Sequence, residues 1–555
     1  MLHPRRLVVS ACALVCLAAG ALAAQAAPVT DPLNGPYPQV HGELVTGVPS
    51  TPSCTTTIVT GYRFHNTAYG SDAPFTGDYV PSCSGPWSKV VLTMSAAVKT
   101  GTQFDRIGDV LIGGVEMLHL TTAEGEAGET DWTISRDVTQ YASVLGTTQP
   151  TYFIIGNQTD GTYTGDFYGT LSLTFYATSA TTPAATVPDV VVGLNAAVNR
   201  GLPTRSGDLP VTSSVTIPVS TTSLTAEVFA SGHGAEEEDW WNAPFACVSG
   251  GIPYREVGIS IDGRLAGTAP VFPTIYTGGY GPDFWRPIPS PRAFNLRPYL
   301  LDLTPWVGQL TDGEPHTFSI ATIGQGGCDG YWFLGGNLLA TTNKANHGRT
   351  TGGVIAYAGD PLPTSTSVGQ QGNTLSDRTT SSHHLQVTGT LRPAGAAATT
   401  VRVVEDLTNA ATDAALDVSS DWTWDSATTW TTGPVPSTSS QHSTYQLLRT
   451  GPTWSITDDQ DTTGTSGATT RLRDSLTTGG PVVGITGLVG GSHESWTYST
   501  SDGTCVDHEL TAAVQNTVVD TVGSSCGGPA PMPQVPTGWL LSAAQIDAIR
   551  SSRTV

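Results

Sequence analysis

Tyr254-Arg255-Glu256-Val257-Gly258-Ile259-Ser260-Ile261-Asp262-Gly263 decides how this chain is read. In an extended strand, Arg255, Val257, Ile259 and Ile261 share one face, while Glu256, Gly258, Ser260 and Asp262 share the other. The closing Asp-Gly pair is a tight-turn signal, so the stretch predicts a strand entering a hairpin. Upstream, Leu224-Thr225-Ala226-Glu227-Val228-Phe229 is a second strand-like run. From it, Ser231-Gly232-His233-Gly234 leads to Glu236, Glu237, Glu238, Asp239, Trp240 and Trp241. Downstream, Tyr276-Thr277-Gly278-Gly279 runs on to Phe284-Trp285-Arg286-Pro287. Acids, arginines and flat aromatic faces between glycine turns fit a hydrolytic site directed at carbohydrate.

The rest of the chain has the same character. Only 13% of its 555 residues are charged, and Gly (63) and Pro (38) are abundant, which favours many short strands joined by turns. The expected fold is all-β: two adjacent jelly-roll-like β-sandwiches, a C-terminal β-rich domain and one terminal helix. Residues 1–26 read as a signal peptide, with Arg5 and Arg6 before the apolar stretch Leu7 to Leu22 and Ala24-Gln25-Ala26 as a small-residue cleavage site. An irregular segment at 27–54 precedes β-sandwiches at 55–178 and 190–342, a β-domain at 373–527, and a Pro-rich tether with a short helix at 528–555. Ser542-Ala543-Ala544-Gln545 supplies that helix with a capping box. No run after the leader approaches the ~20 apolar residues of a membrane helix, so a secreted, extracellular protein is expected.

A formal charge of −22 disfavours nucleic acid and anionic membranes as partners. Six cysteines remain beyond the leader, as one close pair in each third of the chain. In an oxidising compartment they predict the disulfides Cys54–Cys83, Cys247–Cys328 and Cys505–Cys526. The absence of CxxC and HExxH motifs leaves little support for a metal, and no cofactor is expected. Ser260 lies mid-strand without the second glycine of a nucleophile elbow, which excludes that class of serine hydrolase.

A faint internal repeat links the two sandwiches. Asp105-Arg106-Ile107-Gly108-Asp109-Val110 is followed by Asp137-Val138-Thr139-Gln140-Tyr141, and Tyr254 to Ile259 by Asp302-Leu303-Thr304-Pro305-Trp306. Two related sandwiches side by side would form a cleft at their junction.

Each candidate residue has a plain alternative. The run Glu236–Asp239 is an ordinary solvated loop charge unless the indoles that follow desolvate it; crowding then raises its pKa values toward those of a general acid. Arg255, at a strand end, pairs with a carboxylate across a cleft or merely fixes a loop with Glu256. Asp105 and Arg106 point to opposite faces of a regular strand, so both line one site only where the chain bends. Trp306 and Trp332 look like core, whereas Trp240, Trp241 and Trp285 look accessible and suited to stacking on a sugar face.

Taken together, Gly232-His233-Gly234 through Trp240, Tyr254 to Val257, Ile261-Asp262-Gly263, Thr277-Gly278-Gly279 and Trp285-Arg286-Pro287-Ile288 resemble the peptide N-glycosidase A type of glycoamidase. Phe104-Asp105-Arg106, Val115 to Leu118, Thr121 to Glu124, Trp132 and Gly156-Asn157 extend the resemblance, which covers roughly residues 55–345. It implies hydrolysis of the amide joining N-acetylglucosamine to asparagine in N-glycosylated peptides or proteins, with asparagine becoming aspartate. Phe104-Asp105-Arg106 also resembles the aromatic-Asp-Arg segment of peptide N-glycosidase F, whose fold is two jelly rolls meeting at the active site. That resemblance implies Asp105 as the base and Glu238 as the second catalytic residue, with Glu237 the alternative because Asp239 alters the pattern. It places Arg106, Asn157, Glu237, Trp240, Arg255, Glu256, Trp285 and Arg286 around the substrate. A non-catalytic glycan-binding or surface adhesion protein is the alternative on the same fold, and a glycosidase cutting between sugars is a third reading.

Overall fold

The computed structural model describes residues 40–41, 45, 47–65, 73–98, 101, 103–123, 130–194, 204–206, 210–234, 236–237, 255–274, 276, 292–324, 330–359, 366–371, 374–414, 417–450, 453–478, 491–500, 505–513 and 517–523. Strands dominate these residues, as the composition requires.

The first sandwich comprises β1 (Val40–His41), β2 (Ser53–Phe64), β3 (Phe75–Tyr79), β4 (Trp87–Val98), β5 (Ile107–Ile112), β6 (Val115–Thr121), β7 (Thr130–Asp137), β8 (Gln149–Ile155) and β9 (Phe167–Ala177). They form sheets ordered β1-β7-β4-β9-β2 and β3-β8-β5-β6. Alternation along β9 sends Phe167, Leu171, Leu173 and Phe175 inward, where they meet Val110 and Phe153 of the facing sheet. Cys54 and Cys83 are bonded as expected.

The second sandwich comprises β10 (Val190–Gly193), β11 (Thr204–Ser206), β12 (Val211–Val215), β13 (Thr221–Gly234), β14 (Glu256–Ile261), β15 (Arg264–Pro270), β16 (Tyr299–Asp302), β17 (His316–Ile323) and β18 (Gly330–Thr342). Its sheets are ordered β10-β18-β13-β16, with β11 on β18, and β12-β17-β14-β15. The opening stretch is therefore the hairpin β14–β15. Asp262 (φ 49°) and Gly263 (φ 79°) form its turn, in the left-handed conformations that Asp tolerates and Gly adopts freely.

The repeat is structural. The order β7-β4-β9 over β3-β8-β5-β6 recurs as β16-β13-β18 over β12-β17-β14-β15. Asp137 Oδ1 accepts from the Thr139 N–H (3.0 Å) and Asp302 Oδ1 from the Thr304 N–H (2.9 Å). Each aspartate opens a 3-10 turn that runs into a single helical turn, α1 (Ala142–Leu145) or α2 (Val307–Leu310). The threonine hydroxyls then accept the N–H groups of Val90 and Leu224, at matching places on β4 and β13.

The sandwiches abut through buried polar groups as well as apolar ones. Glu227 of β13 accepts from Gln140 (2.5 Å), Tyr141 (2.7 Å) and Asn337 (3.0 Å), and Asn337 in turn exchanges hydrogen bonds with the Glu116 backbone. Gly193 is needed here: a Cβ on it would lie 1.8 Å from the Gly114 carbonyl oxygen.

The remaining strands are β19 (Thr351–Gly359), β20 (Thr366–Gln371), β21 (Thr374–Arg392), β22 (Thr399–Ala414), β23 (Asp417–Thr431), β24 (Ser437–Thr450), β25 (Thr453–Thr463), β26 (Thr469–Thr478), β27 (Gly491–Thr500), β28 (Cys505–Ala513) and β29 (Thr517–Gly523). They make one meandering sheet, with β20 on β21. Its inner face shares a single apolar core with the second sandwich: Leu407, Trp424 and Ile456 cluster with Ile259, Leu301 and Trp306. Both faces of the β14 hairpin are consequently covered, so Glu256 is as buried as Val257.

The leader, the terminal helix, Cys247, Cys328 and Cys526 lie outside the described residues.

Candidate active site

The chain bends at Phe104-Asp105-Arg106, just before β5, because Gln103 organises the backbone there. Buried Gln103 donates to the Asn157 side chain (2.5 Å) and to the Gln158 carbonyl (2.9 Å), and its own carbonyl accepts from the Phe104 N–H (3.0 Å) and from Arg106 Nη2 (2.5 Å). Asn157 donates to the Phe64 carbonyl (2.8 Å), so it supports the loop from below, fully buried. Above it, Phe104 and the Arg106 guanidinium both pack on Tyr163, at 5.0 and 5.7 Å. Asp105, half-buried, stands at the tip.

The acid run begins after β13. Gly232 and Gly330 clear a path for it: a Cβ at 232 would lie 2.1 Å from the Glu236 carbonyl oxygen, and one at 330 would lie 2.3 Å from the Glu236 nitrogen. Glu236 turns inward, where Arg255 holds it from Nε (2.7 Å) and Nη2 (2.9 Å) and the Trp332 indole donates at 3.1 Å. Glu237 is half-buried beside it. Glu238, Trp240, Trp285 and Arg286 lie outside the described residues.

Tyr276 joins the two sandwiches at this point. Its ring stacks on His233, with centroids 5.6 Å apart and planes 9° apart. Burial first, and then the charges of Glu237 and Asp105, hold its hydroxyl pKa well above the ordinary value, so it stays protonated. Asp105 and Glu237 therefore act on one phenol, although they belong to different sandwiches. They also sit on corresponding connections, between β4 and β5 and between β13 and β14.

Other expected residues lie apart. Glu256 faces the C-terminal sheet, accepting from His383 Nδ1 (2.7 Å) and the Thr268 hydroxyl (2.8 Å). Arg255 is held by Glu236 and donates to the Gly324 carbonyl (2.6 Å).

The sequence assigned no role to Tyr276, to Gln103 or to a buried cluster on β5–β6. The only signal for Tyr276 was its place before the Gly278-Gly279 pair. In the cluster, Asp109, Glu116 and His119 each bring one ligand-type atom within 4.8 Å of the others. A proton fills the role a cation would take: burial lowers the His119 pKa, but Asp109 (2.5 Å) and Glu116 (3.3 Å) outweigh it and hold it up to about 10.

A model of the peptide N-acetyl-beta-D-glucosaminyl asparaginase amidase A family matches residues 44–359. The chain belongs to that family. The amidase A match takes in β2 to β19. A curated relative, peptide-N4-(N-acetyl-beta-glucosaminyl)asparagine amidase A of Prunus dulcis, is 30% identical over 364 residues, which are 60% of this chain and 62% of the relative. The chain thus spans about three-fifths of that relative's length. Among solved structures, PNGF-II is similar at 14% identity and TM-score 0.38, over 53% of this chain and 66% of that one. Recombinant peptide N-glycanase F is similar at 11% identity and TM-score 0.36, over 53% of this chain and 96% of that one.

Proposed function

We propose that the protein is a secreted glycoamidase that hydrolyses the N-acetylglucosamine–asparagine amide of N-glycosylated peptides or proteins, releasing the glycan and leaving aspartate. The observation that carries this reading is the placement of Asp105 and Glu237 on corresponding connections of two abutting, repeated sandwiches. Membership of the amidase A family and the name of the Prunus dulcis relative support it. The Cys54–Cys83 bond supports an oxidising, extracytoplasmic location.

An amide carbonyl needs a water activated by a carboxylate and donors for the oxygen that gains charge. Asp105 activates the water. Glu237 or Glu238 holds the proximal sugar or returns a proton to the departing nitrogen, and Glu236 is set aside to position that segment. Arg106 and Tyr276 are a cationic and a neutral donor for that oxygen. Trp240 and Trp285 offer stacking faces to the glycan.

Incubation with an N-glycosylated peptide, followed by mass spectrometry, tests the proposal. Conversion of the glycosylated asparagine to aspartate supports it. A peptide that keeps one N-acetylglucosamine indicates cleavage between sugars, and binding without conversion indicates a glycan-binding protein; either result overturns it.

A further inference from the structure

Asp105 stands at the tip of a bend whose two flanks are tied to one atom. Gln103 Oε1 accepts from the Phe104 N–H (3.0 Å) and from Arg106 Nη2 (2.5 Å), the residues on either side of Asp105. The other end of the same amide faces three acceptors. Its Nε2 lies 2.5 Å from Asn157 Oδ1, 2.9 Å from the Gln158 carbonyl and 3.2 Å from the Gly165 carbonyl. Turning the amide over would set an oxygen against three oxygens and an NH2 group against two donors, so its surroundings decide its orientation. Asn157 is fixed in the same way, because its Nδ2 donates to the Phe64 and Gly165 carbonyls (2.8 and 3.2 Å).

The β8–β9 connection supplies all three acceptors, and it is braced. It closes on itself at Asp160, whose N–H donates to the Tyr163 carbonyl (2.8 Å) and whose Oδ1 accepts from the Thr162 and Tyr163 N–H groups (2.7 and 2.8 Å). Backbone also meets backbone beside it: a Cβ on Gly101 would lie 2.6 Å from the Gly165 nitrogen. Gln103, 1% exposed, therefore joins the bend before β5 to a loop that holds its own shape.

Resting on the glycoamidase reading, we propose that Gln103 is a positioning residue for the base: by holding both neighbours of Asp105, it sets where the carboxylate meets the attacking water. Asn157, fully buried, serves to orient Gln103 and does not touch substrate. Misplacing a reacting group by about 1 Å costs on the order of 10²-fold in rate, so a side chain that never meets substrate can govern kcat.

The experiment combines glycopeptide kinetics with hydrogen exchange of the full chain. Gln103→Met keeps the length of the side chain and removes all of its hydrogen bonds. Assayed well below its melting temperature, it should show kcat lowered about 10²-fold with KM little changed. In an Asp105→Asn background the same substitution should cost nothing further, because no base is left to place. A residue with a merely structural role would lower melting in both backgrounds and leave kcat per folded molecule unchanged. Parental kcat in folded Gln103→Met would overturn the proposal, as would equal losses of kcat in the two backgrounds. In the unaltered protein, labelled with nitrogen-15 at phenylalanine and at glutamine side chains, the Phe104 N–H and the Gln103 NH2 should exchange slowly with solvent. Rapid exchange of either overturns the proposal, and this arm decides the matter even where Gln103→Met does not fold. A wild-type protein that leaves glycopeptide untouched sinks the glycoamidase reading instead, while the exchange rates still decide whether Gln103 holds the bend.

Discussion

Glu236 and Arg255 form a two-pronged ion pair sealed from solvent, with Nε–Oε2 and Nη2–Oε1 distances of 2.7 and 2.9 Å. Such a pair is poor evidence of net stability, because desolvating both charges offsets most of their attraction. Its value here is geometric: it fixes where the acid run leaves β13 and so where Glu237 stands.

Breaking the pair should be costly. Glu236→Gln takes the Glu236 charge away from a buried guanidinium, and a loss of about 3–5 kcal/mol is expected in denaturant melts. Glu237→Gln, at a half-buried position, should shift the melt little and cut glycan release instead. If the two substitutions exchange these phenotypes, Glu236 is the working acid and the assignment is reversed.

Gly232→Ala probes the same geometry from below. A methyl group there would lie 2.1 Å from the Glu236 carbonyl oxygen, and backbone cannot move aside as a side-chain tip can. We expect a loss of about 1–3 kcal/mol, typical of overpacking, together with reduced glycan release. An alanine variant with parental melting and parental release would mean that the segment is not seated against β13.

Local features of the fold were legible in sequence, and contacts between distant segments were not. Asp262-Gly263 and the two Asp-x-Thr turns announce themselves because their physics is confined to a few neighbouring residues. The alternation in 254–262 put Arg255 on the apolar face and Glu256 on the opposite one, and both are buried. The opposite face is closed by β21 and β22, whose coverage nothing in a nine-residue window can report. The hydrogen-bonded series Asp109, His119, Ser231 and His233 was hidden for the same reason: Ser231 lies 112 positions from His119, and only the junction of the sandwiches joins them.

The two histidines His119 and His233 contribute to stability with opposite dependence on pH. His119 has its pKa raised from 6.5 to about 10, so the folded protein keeps a proton the unfolded chain has released; this contribution is complete below pH 6.5 and is lost as pH rises toward 10. His233 is lowered from 6.5 to about 3 by burial and by the charge on His119, so its contribution is complete above pH 6.5 and is lost as pH falls toward 3. The summed contribution of these two histidines to the unfolding free energy should therefore be largest near pH 6.5. In His233→Gln the acid limb should flatten; an unchanged limb would show that His233 is not held neutral.

Glu405 offers a stabilising substitution. Burial raises its pKa from 4.5 to about 8, aided by the charges of Glu256 and Asp302 and opposed by the Thr268 N–H, which donates at 2.7 Å. The folded protein binds a proton that the unfolded chain loses first, so this residue removes stability as pH climbs from 4.5 to 8. Glu405→Gln keeps an oxygen for Thr268 and ends the titration. Its midpoint in urea should exceed that of the parent at pH 8, with the advantage shrinking toward pH 4. A constant difference at every pH would place the effect in packing.

Asp105→Asn is the sharpest test of the site. The substitution preserves size and leaves one carbonyl oxygen in place, but an amide does not take a proton from water. The loop itself is held by Gln103, Thr122 and Tyr163 through the backbone and Arg106, and those contacts do not involve the 105 carboxylate. Melting should therefore stay near the parental value, while kcat for glycopeptide falls by about 10²–10⁴-fold, the span attributed to a general base. KM should change little, because the lost interaction forms chiefly as the water is activated. Parental kcat in a well-folded Asp105→Asn protein would remove the base from the mechanism, and a proportionate rise in KM would make Asp105 a binding group.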